Sequence, residues 1–245
     1  MHVLILGGTG EARALASRLV AAGHDVTTSL AGRTETPLQP QGALRVGGFG
    51  GTSGLAAYLR TTQTNLLIDA THPYAGRISA NAVAASAESG VPLIRLLRAQ
   101  WNEPAGARWQ RATDPEAAAA ALPTGAVVLL TTGHGGLDAF LMRTDCRFLV
   151  RVIEAPAKTL PAHMRLLIDR PPYDLAGETA LLRREGITHL VSKNSGGGQT
   201  SAKLDAAQAL GITVVMIDRP LYAPAREVAD IEATMLAVHE LASRR

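Results

Sequence analysis

The residues able to do chemistry fall in four short stretches. The first is GGTGEAR, positions 7–13, which follows an apolar run and opens a helical pattern. Glycines at such a turn let the backbone approach a pyrophosphate, and the first N–H groups of the helix point at that anion. Gly7, Gly8 and Gly10 are the glycines concerned, the helix begins near Glu11, and a purely structural turn is the alternative. The usual fingerprint wants a third glycine where this chain carries Arg13, so helix and strand must pack around that arginine or turn it outward.

The second stretch is SLAGRT, positions 29–34, about 20 residues further on. An NAD site places a carboxylate there for the ribose hydroxyls; Ser29, Arg33 and Thr34 offer hydroxyls and a guanidinium instead, with an ordinary surface loop as the alternative. Those groups suit a ribose 2′-phosphate, because arginine brings paired donors and a permanent charge. The expected cofactor is NADPH.

The third stretch, DATHPYA, places Asp69, Thr71, His72 and Tyr74 where a strand ends, the edge at which open α/β sheets bind ligands. His72 can pass a proton or bond a backbone group, and Tyr74 can stack on a ring or pack in a core. The fourth, SKNSGGGQTSAK, sets Ser192, Lys193, Asn194 and Ser195 before Gly196 and Gly197, with Lys203 in the next helical pattern. That cluster of hydroxyls, N–H groups and ammonium charge suits a carboxylate or phosphate; a plain flexible connection is the alternative. The P-loop spacing is missing. So are HExxH and GxSxG, and the seven histidines are scattered, which leaves metal and serine-nucleophile chemistry without support.

These stretches need elements to hold them. Short apolar runs alternate with helical patterns: HVLIL, a helix over 11–22, DVTTSL, a short strand at 44–46, a helix over 53–60, NLLIDAT, a helix over 75–89 and PLIRLL. A second cycle runs from TDPEAAAAAL through AVVLLTTG, GLDAFLM, CRFLVRVI, a proline-rich stretch around HMRLLI, GETALLRREG, HLVSK, SAKLDAAQALG and TVVMI to a closing helix, EVADIEATMLAVHEL. Such alternation predicts α/β architecture with parallel sheets and helices on both faces. Two units are expected, residues 1–118 and 119–245, with the closing helix packing across both.

Composition agrees. The 245 residues are 47% hydrophobic and 4% aromatic, with 24 basic and 21 acidic residues for a net charge of +3. No basic run or stripe is present, which argues against nucleic acid as a partner. The single cysteine, Cys146, rules out an internal disulfide framework. Without a signal peptide or a long apolar segment, a soluble cytoplasmic protein with no membrane contact is expected.

Taken in order, HVLILGGTGEARALA, SLAGRT, DATHPYA, SKNSGG with TSAKLDAAQALGI, and VVMIDRP resemble the precorrin-6A reductase and cobalt-precorrin-6A reductase family of cobalamin biosynthesis. The resemblance runs from the first strand to the last helix. It implies two Rossmann-like domains with an active-site cleft between them: an N-terminal NADP-binding domain and a C-terminal substrate domain. It also implies NADPH-dependent reduction of one double bond in a polycarboxylate tetrapyrrole, giving precorrin-6B, with neighbouring enzymes of the pathway as partners. GGTxEAR is then the family's own form of the turn. On this reading Gly8, Thr9, Gly10, Glu11, Ser29, Gly32, Arg33 and Thr71 hold the cofactor. Tyr74, Ser192, Asn194, Ser195, Gly196 and Gly197 hold the substrate, and His72, Lys193 and Lys203 are the candidates for catalysis and proton supply.

Two rivals remain at this point. A short-chain-dehydrogenase-like enzyme needs Tyr-x-x-x-Lys, and Tyr58, Tyr74, Tyr173 and Tyr222 all lack a lysine four residues on. A non-catalytic NADP-sensing regulator leaves the donor-rich SKNSGGGQTSAK stretch without a use.

Overall fold

The computed structural model describes residues 1–32 and 38–243. Residues 1–99 and 220–245 form one compact unit, and residues 100–219 a second.

The first unit starts from HVLIL as strand β1 (His2–Leu6), followed by α1 (Gly10–Ala21), β2 (Asp25–Leu30), β3 (Ala43–Val46), α2 (Thr52–Thr61), β4 (Leu66–Asp69), α3 (Gly76–Ser89) and β5 (Leu93–Leu96). Successive side chains of a strand point to opposite faces, and β1 uses both. Val3 and Ile5 pack on Leu15, Leu19, Ala237 and Val238, while Leu4 and Leu6 pack on Leu55, Leu59, Ala82 and Ala85. A strand buried on both faces is the mark of a doubly covered parallel sheet. Every pairing in this sheet is parallel, in the order β12-β5-β4-β1-β2-β3, where β12 is Arg226–Val228 from the far end of the chain.

The second unit holds β6 (Trp109–Ala112), α4 (Pro115–Ala120), β7 (Val127–Leu130), β8 (Arg147–Val152), β9 (Met164–Ile168), α5 (Leu175–Arg184), β10 (His189–Lys193), α6 (Ala202–Ala209) and β11 (Thr213–Ile217). Its sheet is also parallel throughout, in the order β6-β11-β10-β7-β8-β9. Of the two caps that TDPE offers, Thr113 and Asp114, it is Asp114 that caps α4, through the Ala117 N–H at 2.7 Å, with Pro115 in the first turn. The expected helix at GLDAFLM is one 3₁₀ turn, Leu137–Phe140, and HMRLLI supplies β9.

The expected division at 118/119 differs from the compact units in the structure, and the reason is the two edge strands. β6 completes the second sheet beside β11 from before the expected join. β12 (Arg226–Val228) completes the first sheet beside β5 from the far end of the chain. The closing helix therefore begins later than its sequence pattern suggests: Asp230 accepts from the Ala233 N–H at 2.8 Å, and α7 spans Ile231–Ser243. It packs in the first unit, Ala237 and Val238 lying in the core beside α1.

Candidate active site

In the first unit the order β3-β2-β1-β4-β5-β12 reverses direction between β1 and β4. Open α/β sheets bind ligands at that switch point, outside the carboxyl ends of the strands. The GGTGEAR turn leaves β1 there. Gly8 has φ +108° and open space where a side chain would stand, a conformation that favours glycine. Gly7 is needed for packing, since a Cβ on it would stand 2.7 Å from Thr28 Cγ2. Thr9 caps α1 by accepting from the Ala12 N–H at 3.0 Å, and its own hydroxyl donates to the Ala70 carbonyl at 2.9 Å.

That geometry resolves the missing glycine. Ala12 is fully buried, and the Cβ position of Gly7 lies 3.6 Å from its methyl group. The small residue required for close helix–strand packing is therefore Ala12, one position before the expected place. Arg13 is half-exposed and reaches back toward the Thr9 carbonyl at 3.5 Å.

At the tip of β2, Ser29 is buried, and its hydroxyl accepts from Arg45 Nη1 at 3.3 Å. Arg45 leaves β3, lies 3.8 Å over the Phe49 ring and donates to the Gly48 carbonyl at 2.8 Å. Gly32 has φ +72°. Arg33 lies outside the described residues. No carboxylate follows Ser29 before Gly32.

At the tip of β4, Asp69 is buried; its Oδ1 accepts from the Thr71 hydroxyl at 2.7 Å and the Thr71 N–H at 3.2 Å. His72 is exposed, and its Nδ1 accepts from the Tyr74 N–H at 3.2 Å, which assigns the ring proton of neutral His72 to Nε2. The His72 and Tyr74 rings sit 5.8 Å apart. Two small hollows adjoin here. Thr9, Glu11, Thr71 and Arg98 line one; Thr71, His72, Ser79, Arg95 and Tyr222 line the other. The sequence-predicted Thr9, Glu11, Thr71 and His72 are thus brought together around these hollows.

In the second unit the fourth stretch serves the frame. Asn194 is fully buried; it accepts from the Trp101 N–H at 2.8 Å and donates to the Trp101 carbonyl at 3.0 Å. Its amide thus bonds the Trp101 backbone through both its oxygen and its nitrogen. Lys193 Nζ donates to the Thr132 and Gly135 carbonyls at 2.8 and 2.7 Å, pinning the turn after β7. Lys203 is buried with its ammonium 5.0 Å from the Trp101 ring. Lys193 thus clamps the turn after β7, and the Lys203 ammonium stands beside an indole. Ser192 is fully buried and donates to the Lys193 carbonyl. Ser195 is also buried, and Gly196 and Gly197 have φ +68° and +81°. Trp101 Nε1 donates to the Gly197 carbonyl at 3.0 Å.

The sequence matches the family described as Precorrin-6x reductase CbiJ/CobK over residues 2–239. The chain belongs to that family. It is 48% identical over 238 residues to a protein named precorrin-6A reductase from Rhodococcus erythropolis, covering 96% of each chain. It is 45% identical over 237 residues to one of that name from Rhodobacter capsulatus, covering 96% of this chain and 94% of the other. A solved structure described as CobK precorrin-6A reductase superposes with a TM-score of 0.94 at 42% identity, covering 98% of this chain and 97% of that one.

A member of the precorrin-6x reductase family is an oxidoreductase, for which a nicotinamide cofactor is the expected reductant. Seen as such, the switch point carries cations that sequence reasoning passed over. Arg98 pairs with Glu11 at 2.9 Å, so the Glu11 carboxylate on the first turn of α1 is balanced where an anion would approach. Arg95 is buried on β5 beside Asp69. A signal for it existed: a charged residue inside the apolar run PLIRLL must find a buried partner.

Proposed function

We propose that this precorrin-6x reductase reduces one double bond of precorrin-6A, metal-free or cobalt-containing, to the dihydro product with NADPH in cobalamin biosynthesis. The observation that carries the reading is the turn after β1: Gly8 open, Thr9 capping α1 and tied to Ala70, and the helix start aimed at the switch point. This set fits a dinucleotide pyrophosphate, with Gly8, Thr9 and Gly10 supplying backbone approach. Glu11, paired with Arg98, orients that cation rather than meeting phosphate directly. Ser29 and Gly32 at the β2 tip, with the Arg45 guanidinium already on the Ser29 hydroxyl and Arg33 next in the chain, favour a 2′-phosphate over a bare ribose.

When bound, NADPH supplies the hydride. The chain's own residues position, neutralise and deliver a proton. Thr71 and His72 stand at the end of β4 around the two hollows, and Arg98 lines the one that Thr9 and Glu11 share with Thr71, a cation suited to a carboxylate arm of the macrocycle. His72 Nε2 is our candidate for proton delivery, general-acid help being worth about 10²–10⁴-fold. Tyr74, Ser195, Gly196 and Gly197 are proposed to contact the macrocycle, while Ser192, Lys193, Asn194 and Lys203 shape the loop that carries them. The setting proposed is the cytoplasm; among the described residues no helix is long and apolar enough to cross a membrane.

Side-by-side calorimetric titrations with NADPH and NADH test the cofactor, on wild type, Arg33→Ala and Ser29→Ala. Tighter NADPH binding that weakens in Arg33→Ala by about 1.5–3 kcal/mol supports the reading; binding of neither nucleotide overturns it. Turnover with each form of precorrin-6A identifies the substrate.

A further inference from the structure

Thr71 lines both hollows at the switch point, and its hydroxyl has one proton. That proton is spent on Asp69 Oδ1 at 2.7 Å, while the same carboxylate oxygen takes the Thr71 N–H at 3.2 Å. Asp69 is itself held from behind. Its Oδ2 lies 3.6 Å from Arg95 Nε, with both side chains no more than 3% exposed. Arg95 is held by Glu227 of β12 at 2.9 Å and the Ala223 carbonyl at 3.0 Å, and it lies 5.0 Å from the Tyr222 ring. Tyr222 in turn donates to the Pro73 carbonyl. The returning segment 222–227 thus braces the 71–73 turn at both ends.

A carboxylate paired with a guanidinium has acceptor positions only. Toward the hollows, Thr71 can therefore accept a hydrogen bond and cannot donate one. A carboxylate arm of a macrocycle brings acceptors alone and meets lone pairs there, with the Asp69 charge behind them. A neutral N–H donor is the complementary group.

We propose that Thr71 is the acceptor for the carboxamide NH₂ of the nicotinamide, and that Asp69 and Arg95 are positioning residues that set its polarity. The inference rests on the cofactor reading above and adds which chemical group is recognised at this position and which is refused.

The test is binding, not turnover. Wild type, Thr71→Ser, Thr71→Val and Asp69→Asn are titrated with NADPH and with its acetylpyridine analogue, in which a methyl group replaces the carboxamide NH₂. Wild type and Thr71→Ser are expected to prefer NADPH over the analogue by about three- to tenfold, as for one neutral hydrogen bond. Thr71→Val and Asp69→Asn are expected to bring the two ligands to near equality. The same preference in Thr71→Val as in wild type overturns the inference, as does no preference in wild type that binds both. Failure of wild type to bind NADPH overturns the cofactor reading and the inference with it. Thr71 is half-buried and valine is nearly isosteric, so the serine and valine pair decides the matter even where Asp69→Asn does not fold.

Discussion

The Thr9 hydroxyl donates to the Ala70 carbonyl at 2.9 Å while accepting from the Ala12 N–H at 3.0 Å. One side chain therefore caps α1 and ties the turn after β1 to the turn after β4, two strands that pair in register from Val3–Leu66 to Leu6–Asp69. The floor of the candidate site is built from that double contact. Thr9→Ala should cost about 1–2 kcal/mol of stability through the lost cap and weaken nucleotide binding as well. Thr9→Ser should restore both, as read by urea unfolding and NADPH titration.

Gly7 offers a steric test of the same floor. A methyl group there would meet Thr28 Cγ2 at 2.7 Å. Gly7→Ala is expected to destabilise by about 1–3 kcal/mol, the range for overpacking, and Gly7→Ala with Thr28→Ser, which removes the offending methyl, should recover most of the loss. Equal unfolding midpoints for Gly7→Ala and wild type would contradict the packing assignment.

In the second unit, Asn194→Ala should lower stability by about 2–4 kcal/mol, because the N–H and C=O of Trp101 both lose their buried partner. The Trp101 indole, which bonds Gly197 and faces Lys203, should report the change in its fluorescence. A variant with native fluorescence and native stability would contradict the framing role of Asn194.

Arg151 and Glu178 form a buried two-pronged pair, with Nη2 to Oε2 at 3.0 Å, and Arg151 lies 4.0 Å from the Tyr173 ring. Breaking it as Arg151→Met should cost about 3–5 kcal/mol by stranding the carboxylate. Adding Glu178→Leu should restore part of that. The two-variant cycle is read by chemical denaturation.

Tyr173 gives the pH prediction. Burial pushes its phenol up to about 12 from an ordinary 10.0. The folded protein then favours the neutral ring, so this contribution to stability is complete below pH 10 and is lost as pH rises from 10 toward 12. Unfolding free energy measured along that range should fall, and Tyr173→Phe should flatten the decline. Because the Tyr173 N–H donates to the Gln199 carbonyl at 3.1 Å, the glycine loop at 196–198 should loosen over the same interval, seen as faster amide exchange.

Much of this protein was legible locally. A strand buried on both faces reads as HVLIL, a capped helix as TDPE, and the switch-point residues Thr9, Thr71 and His72 follow from strand ends next to glycine or proline, because turn chemistry and side-chain period act over a few neighbours. What tertiary structure alone decided is of longer range. Glu227 reaches Arg95 across 132 positions, β6 and β12 are short edge strands whose partners no local pattern names, and the Asn194 amide finds its partner in Trp101, 93 residues away. The same holds for Lys193, a member of a donor cluster by sequence whose ammonium also clamps a turn by geometry. Period and propensity belong to neighbours along the chain, whereas the partner of a buried polar group is set by whichever segment packs beside it.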